Sequence, residues 1–270
     1  MRYQAYSIRR TPGITQTLNT KTSNSVSILV TLYTEFIYRP LLNGLVFVYV
    51  LLPYQDLGLA ILVLTLIVRI ILHPALVHTY RSQQAMARLQ PQLQEIQARF
   101  KANREELARR TMALYRSEGV HPMSGCLPVL IQLPILIGLY QVFWKGIKLE
   151  DRLLLYPFVP QFGTFDTLAF GLFDLAAPSI ILAVAAGASQ WLQAQFVPQP
   201  VGAVGGGGDF QKAMAWQMKY FFPLLIAGIS WSLPSALGFY WTGLNLFAIV
   251  EQRWLRRRLN HGHQHSRPHP

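Results

Sequence analysis

The stretch Leu57 to Val77, LGLAILVLTLIVRIILHPALV, decides how the rest of the chain is read. At about 1.5 Å per residue it reaches across a hydrocarbon core of about 30 Å, and no charge interrupts it before Arg69. This is the first spanning helix. An arginine so deep in a span costs about 2.5–3.5 kcal/mol on insertion scales, and a guanidinium cannot shed its proton to escape. Arg69 must therefore face water or a partner, or snorkel along its own long side chain to the polar end near Val77.

Composition points the same way. The 270 residues are 51% hydrophobic and only 13% charged, too little charged surface for a soluble globule of this size. The net charge of +12 must sit in water, where it can meet anionic head groups, nucleic acid or acidic protein. The single cysteine, Cys126, excludes an intrachain disulfide, and its apolar flanks suit a buried thiol. Residues 1–27 lack an apolar h-region, and segment 1–31 is expected to be disordered.

Working outward, residues 32–53 carry Phe36, Ile37, Leu41, Leu42, Leu45, Val46 and Val48 at helical spacing, interrupted by Glu35, Arg39 and Asn43. They read as an interfacial amphipathic helix. Residues 78–120 change character, with the stripe Leu89, Leu93, Ile96 and Phe100 followed by Asn103 and Glu106 in the form of a capping box. A second helix then stops at Gly119, with Pro122 beyond, so the segment reads as a basic helical hairpin.

Further spans are expected at about 127–144, 178–197, 219–233 and 236–252, the last two divided at Pro234 and Ser235. The third is rich in Ala and Gly, which suits close helix contact. Residues 145–177 form an aromatic-rich connection suited to the head-group layer, and 198–211 a Pro- and Gly-rich linker. The fold expected is an all-α integral membrane protein: a five-transmembrane-helix bundle over 54–255, with the interfacial helix before it, the cytoplasmic hairpin within it and a basic tail at 256–270. Fifteen Lys and Arg would fall on the face holding hairpin, linker and tail against eight on the other. This places the C-terminus in the cytoplasm and the N-terminus outside.

No Asp or Glu lies inside the other spans before Glu251 at the end of the last one, so Arg69 is expected to have no counter-ion within the chain. A wet cavity open to transient anionic guests would satisfy it. Thr65, Gln132, Gln190, Gln193, Thr242 and Asn245 could line that cavity, although for each taken alone a helix-to-helix hydrogen bond is the favoured role. Motifs for phosphate cradles, zinc proteases and serine hydrolases are missing, so no catalytic residue, cofactor or metal is expected. His261, His263, His265 and His269 read as a solvated tail. A small anion transporter or channel with Arg69 as substrate counter-ion is the competing reading, weakened by the lack of an internal repeat.

Three segments resemble the YidC family of membrane protein insertases: LTLIVRIILHP at 64–74, GVHPMSGCLPVLIQLP at 119–134 and LPSALGFYWTGLN at 233–245. The resemblance implies a short bacterial form with five core spans in the plasma membrane, lacking the extra N-terminal span and large periplasmic domain of Gram-negative members. Residues 1–27 also lack the lipoprotein signal common in Gram-positive members. It further implies that Arg69 is the groove arginine, that Trp241 contacts inserting substrate with Tyr240 beside it, and that Gln190 or Gln193 is a polar groove residue. Nascent membrane proteins and membrane lipids would be the partners, with no small-molecule substrate. The ribosome, met by tail and hairpin, and a Sec-type translocon are further candidates.

Overall fold

The computed structural model describes residues 27–120, 127–145, 151–160, 163, 166–196, 213 and 215–264. Cys126, Pro122, most of the 198–211 linker's neighbourhood and the tail beyond 264 lie outside these residues, as does the expected disorder of 1–26. Residues 27–31 are helical, so helix begins four residues earlier than the disordered segment was expected to end.

The first helical stretch passes through a π-helical turn, Thr34–Tyr38, into α1, Arg39–Leu51. A second π turn, Gln217–Phe221, leads into α7, Phe222–Ser232. Each turn ends two residues before a proline, Pro40 and Pro223. A proline ring clashes with the carbonyl four residues back and offers no N–H; one wide turn relieves both while the helix continues. The buried side of α1, with Leu42, Leu45, Val46 and Tyr49, packs on the helices that follow it. Buried Asn43 is fully used there: its Nδ2 donates to the carbonyls of Arg39 and Leu154, and its Oδ1 accepts from the Tyr156 N–H at 2.6 Å.

Helix α2, Leu57–Arg88, is one continuous rod of 32 residues, about 48 Å long. The expected boundary between span and hairpin at 77/78 does not interrupt it. Pro74 sits inside, and no further proline or glycine occurs until Pro91, so nothing in the polar segment stops the backbone. Among the described residues it is the one helix long and apolar enough to cross a membrane by length and composition, with a mean hydropathy of 2.4 over 18 residues. The hairpin therefore consists of the last turns of α2 packed with α3, Gln90–Arg99, and α4, Arg104–Ser117, around Met86, Leu89, Leu93 and Tyr115.

Half of the expected capping box forms. Asn103 Oδ1 accepts from the Glu106 N–H at 3.0 Å, but the Asn103 N–H donates to Phe100 and the Glu106 carboxylate turns to Arg109 and Arg110. At the other end Gly119 takes φ +63°, with its N–H on Arg116 and the Val120 N–H on Tyr115. This is the paired pattern of a Schellman stop.

After α5, Leu127–Lys145, comes a feature that the sequence did not announce. Strands β1, Leu168–Ala169, and β2, Phe173–Asp174, make an antiparallel hairpin with Ala169 opposite Phe173. Three residues join Ala169 to its partner Phe173: the Leu172 N–H closes a turn on the Ala169 carbonyl, and its central residues Phe170 and Gly171 both have positive φ, which a phenylalanine adopts reluctantly. Asp56 compensates: one carboxylate oxygen accepts from the Phe170 N–H, the other caps α2 at the Leu59 N–H. A Cβ on Gly58 would stand 2.5 Å from Ala169 Cβ, so only glycine lets the start of α2 meet the strand. On the hairpin's far side, Ser235 donates its hydroxyl to the Asp174 carbonyl, and the N–H groups of Ser235 and Ala236 reach Ala177 and Leu175. The hairpin thus fixes the starts of α2 and α8, Ser235–Gln264, side by side.

Helix α6, Ile180–Ala194, packs closely on α7 and α8. Gly187 lies against Ala227 and the Pro223 carbonyl, and Gly238 against the Leu182 carbonyl, as small residues permit between helices with little apolar drive to associate. Apart from the small hairpin the architecture is helical. Its exterior carries Ile70, Ile71, Ile181, Val184, Leu224, Trp231 and Val250 exposed, an apolar surface of the kind that lipid or a partner protein covers.

Two outcomes are expected. Asp56→Ala removes the α2 cap and the Phe170 tie together, so thermal unfolding in detergent should show a loss of about 1–3 kcal/mol, with Asp56→Asn recovering part of it. In the hairpin, hydrogen bonds from Arg109 and then Arg110 hold the Glu106 carboxyl below its ordinary value. Its contribution to stability is therefore present above the ordinary carboxylate range and lost as pH falls through the lower folded value. An NMR titration of Glu106 should find its midpoint depressed, and Arg109→Gln with Arg110→Gln should return it upward.

Candidate functional site: a polar seam along the last helix

The site is organised by α8, which presents polar groups to three other helices over about 16 Å of its length, from Tyr240 to Glu251. Tyr240 is buried and its hydroxyl accepts from Gln132 Nε2 on α5. Trp241, the next residue and so about 100° round the helix, donates its indole N–H to Gln190 Oε1 on α6 at 2.9 Å. One turn on, Asn245 Nδ2 donates to Ser189 Oγ at 3.1 Å, both buried. Leu244 and Glu251, four and eleven residues after Tyr240, return to the face that meets α2.

There the expectation for Arg69 is overturned. Its guanidinium is paired within the chain: NH2 donates to Glu251 Oε2, and NH1 lies 3.5 Å from the Leu244 carbonyl. The second carboxylate oxygen, Oε1, lies 2.7 Å from His73 Nδ1. Arg69 and His73 stand one turn apart on α2, so a single carboxylate spans both. The side chains of Arg69 and Glu251 are 15% and 16% exposed, largely covered by the bundle, whereas His73 at 40% lies at its surface. The His73 ring also lies 6.1 Å from that of Trp254, over which the Arg258 guanidinium sits at 3.9 Å.

Close approach makes the pairing geometrically possible. A Cβ on Gly243 would meet Leu62 Cδ2 at 2.5 Å, so α8 lies against α2 about two turns of α2 before Arg69's own level. The arrangement holds charge and hydrogen-bonding groups inside an apolar bundle, and each is satisfied by a partner that a polar guest could replace.

Of the residues singled out from sequence, Arg69, Gln132, Gln190, Tyr240 and Trp241 share this seam. Thr65 is buried and gives its hydroxyl to the Ile61 carbonyl of its own helix, and Thr242 does the same with Gly238. Gln193 is half-buried further along α6 and is not among the side chains that these hydrogen bonds join. Glu251, His73 and Ser189 were not marked as site residues. The signal for Glu251 was its helical offset from Tyr240 and Leu244; for His73, its four-residue spacing from Arg69. Among the described residues no group of three His, Cys, Asp or Glu gathers as a metal site, and His265 and His269 lie outside them.

Residues 48–262 match the family model described as the 60Kd inner membrane protein. The chain is 36% identical to the membrane protein insertase YidC of Pasteurella multocida over 234 residues, 86% of this chain and 39% of that one. Similar relatives are the membrane protein insertases YidC of Histophilus somni, 34% identical with the same coverage, and of Lawsonia intracellularis, 34% identical over 227 residues. The chain spans about two fifths of the length of these relatives. With its helical architecture, its apolar exterior and a match covering most of its length, the chain belongs to the 60Kd inner membrane protein family, the bacterial inner-membrane family of YidC.

Proposed function

We propose that the protein is a membrane protein insertase that passes transmembrane segments of nascent chains into the lipid bilayer along the α8 seam. The observation that carries this reading is the Arg69–Glu251–His73 cluster, an ionic site inside apolar helices, continued by replaceable hydrogen bonds at Gln132–Tyr240 and Gln190–Trp241. Membership of the family of the YidC insertases favours it over small anion transport with Arg69 as substrate counter-ion.

The mechanism is solvation. A client's polar N-terminal region desolvates at lower cost where charges and dipoles are already fixed in place, and Arg69 offers the cation for its acidic groups. Its apolar segment then moves along α8 past Tyr240 and Trp241 into hydrocarbon, and release follows once about 20 apolar residues are immersed. In this reading five helices span: α2, α5, α6, α7 and α8. Helix α6 has 15 residues and reaches about 22 Å, short of a core of about 30 Å, so the bilayer thins beside it and the crossing shortens. The hairpin and basic tail face the cytoplasm and the N-terminus lies outside. Arg253, Arg256, Arg257 and Arg258 would meet anionic lipid there, and ribosomal RNA or a Sec-type translocon are the further partners of that face.

Removing Arg69 alone would leave Glu251 a largely buried carboxylate with only its His73 contact and no fixed cation, so the neutral pair Arg69→Gln with Glu251→Gln is the cleaner variant. A photo-crosslinker at Trp241 or Gln190 in the full chain should capture a single-spanning nascent client during insertion. With the neutral pair, capture and insertion of a strongly acidic-headed client should fall about tenfold, the effect of about 1.4 kcal/mol. Undiminished insertion with no crosslink at either position would defeat the reading.

A further inference from the structure

Arg69 is held by a residue of its own chain in the place where a guest's acid would bind. Glu251 uses Oε2 on Arg69 and Oε1 on His73, and its side chain is no more exposed than that of the arginine it covers. An incoming carboxylate therefore exchanges with a bound anion and does not find a bare cation. The exchange is feasible because Glu251 keeps a partner through it: losing Arg69, it retains the His73 contact at 2.7 Å, on the side of the cluster where the side chain is most exposed.

We infer that Glu251 is a specificity-determining residue that sets how much negative charge a client must carry before Arg69 is released to it. This rests on the insertase reading and deepens it.

The physical basis is competition between two occupants of one charge. A ligand shifts such an equilibrium only by its advantage over the state it displaces. A client with one carboxylate replaces like with like and gains little, and a neutral one loses an ion pair in a largely dry site. Several carboxylates along one N-terminal region multiply the chances of exchange and add attraction to the same cation, so they pass the threshold. Helix α8 supplies the competitor from the same face that carries Tyr240, placing threshold and path on one element. Leu244, between them on that face, lends its carbonyl as a second, weaker acceptor for the guanidinium at 3.5 Å.

The test uses the full chain in proteoliposomes with a photo-crosslinker at Trp241 and clients whose N-terminal regions carry zero, one or three carboxylates. Glu251→Gln should raise capture of the one-carboxylate client about tenfold and that of the three-carboxylate client by a smaller factor, so that the preference between the two narrows. Glu251→Asp, which keeps the charge on a shorter stem, should give a smaller rise in the same direction and stands in if the glutamine variant does not fold. In an Arg69→Gln background the Glu251→Gln gain should vanish, since no cation remains to compete for. Unchanged or lower capture of the one-carboxylate client in the folded Glu251 variants would overturn the inference, as would a gain that persists without Arg69. Failure of the insertase reading looks different: no client would crosslink at Trp241 in the unaltered chain, and this inference would fall with it.

Discussion

A guanidinium inside an apolar helix cannot neutralise itself, so the chain must bring an anion to it, and the placement of the helices follows from that demand. Arg69 lies twelve residues along α2, about 18 Å from its start; Glu251 lies sixteen along α8, about 24 Å from its own. The two meet only if the helix starts are held at a fixed offset. The β-hairpin does this, bound to α2 through Asp56 and the Gly58–Ala169 contact and to α8 through Ser235 and Ala236. A feature of a few residues at one end of the bundle thereby sets an electrostatic contact about 20 Å away.

Building the seam on α8 has an advantage over spreading it evenly. The residues Tyr240, Trp241, Asn245 and Glu251 point to three neighbours, so one helix carries every polar step and its partners each contribute one or two groups. Rigid helical spacing then fixes the distances between steps, and the glycines at 238 and 243 let α6 and α2 come close enough to hydrogen-bond.

Much of this was legible in the residues. Apolar runs and their prolines located the helices, Gly119 marked the hairpin stop, and Arg69 stood out because nothing local explains a charge there. What escaped was whatever depends on distant parts of the chain meeting. Glu251 looked like the edge of the aqueous tail, since hydropathy sees only neighbours along the chain, and its pairing spans 182 positions. The β-hairpin escaped because Phe170 is a poor residue for its turn, and its compensation comes from Asp56, 114 positions away. Polarity at 78–88 suggested a new element, but a change of solvent does not break a helix; only Pro91 does. Thr65 looked available until its hydroxyl was found bonded to its own backbone, a choice open to any helical threonine.

The unbroken length of α2 makes two distant regions one mechanical piece. One end is fastened at the β-hairpin, the other is built into the helical-hairpin core through Met86, and Arg69 rides about two fifths of the way along. No loop separates the ion pair from that core: one ladder of backbone hydrogen bonds runs through both, with Pro74 the single residue between them that offers no N–H.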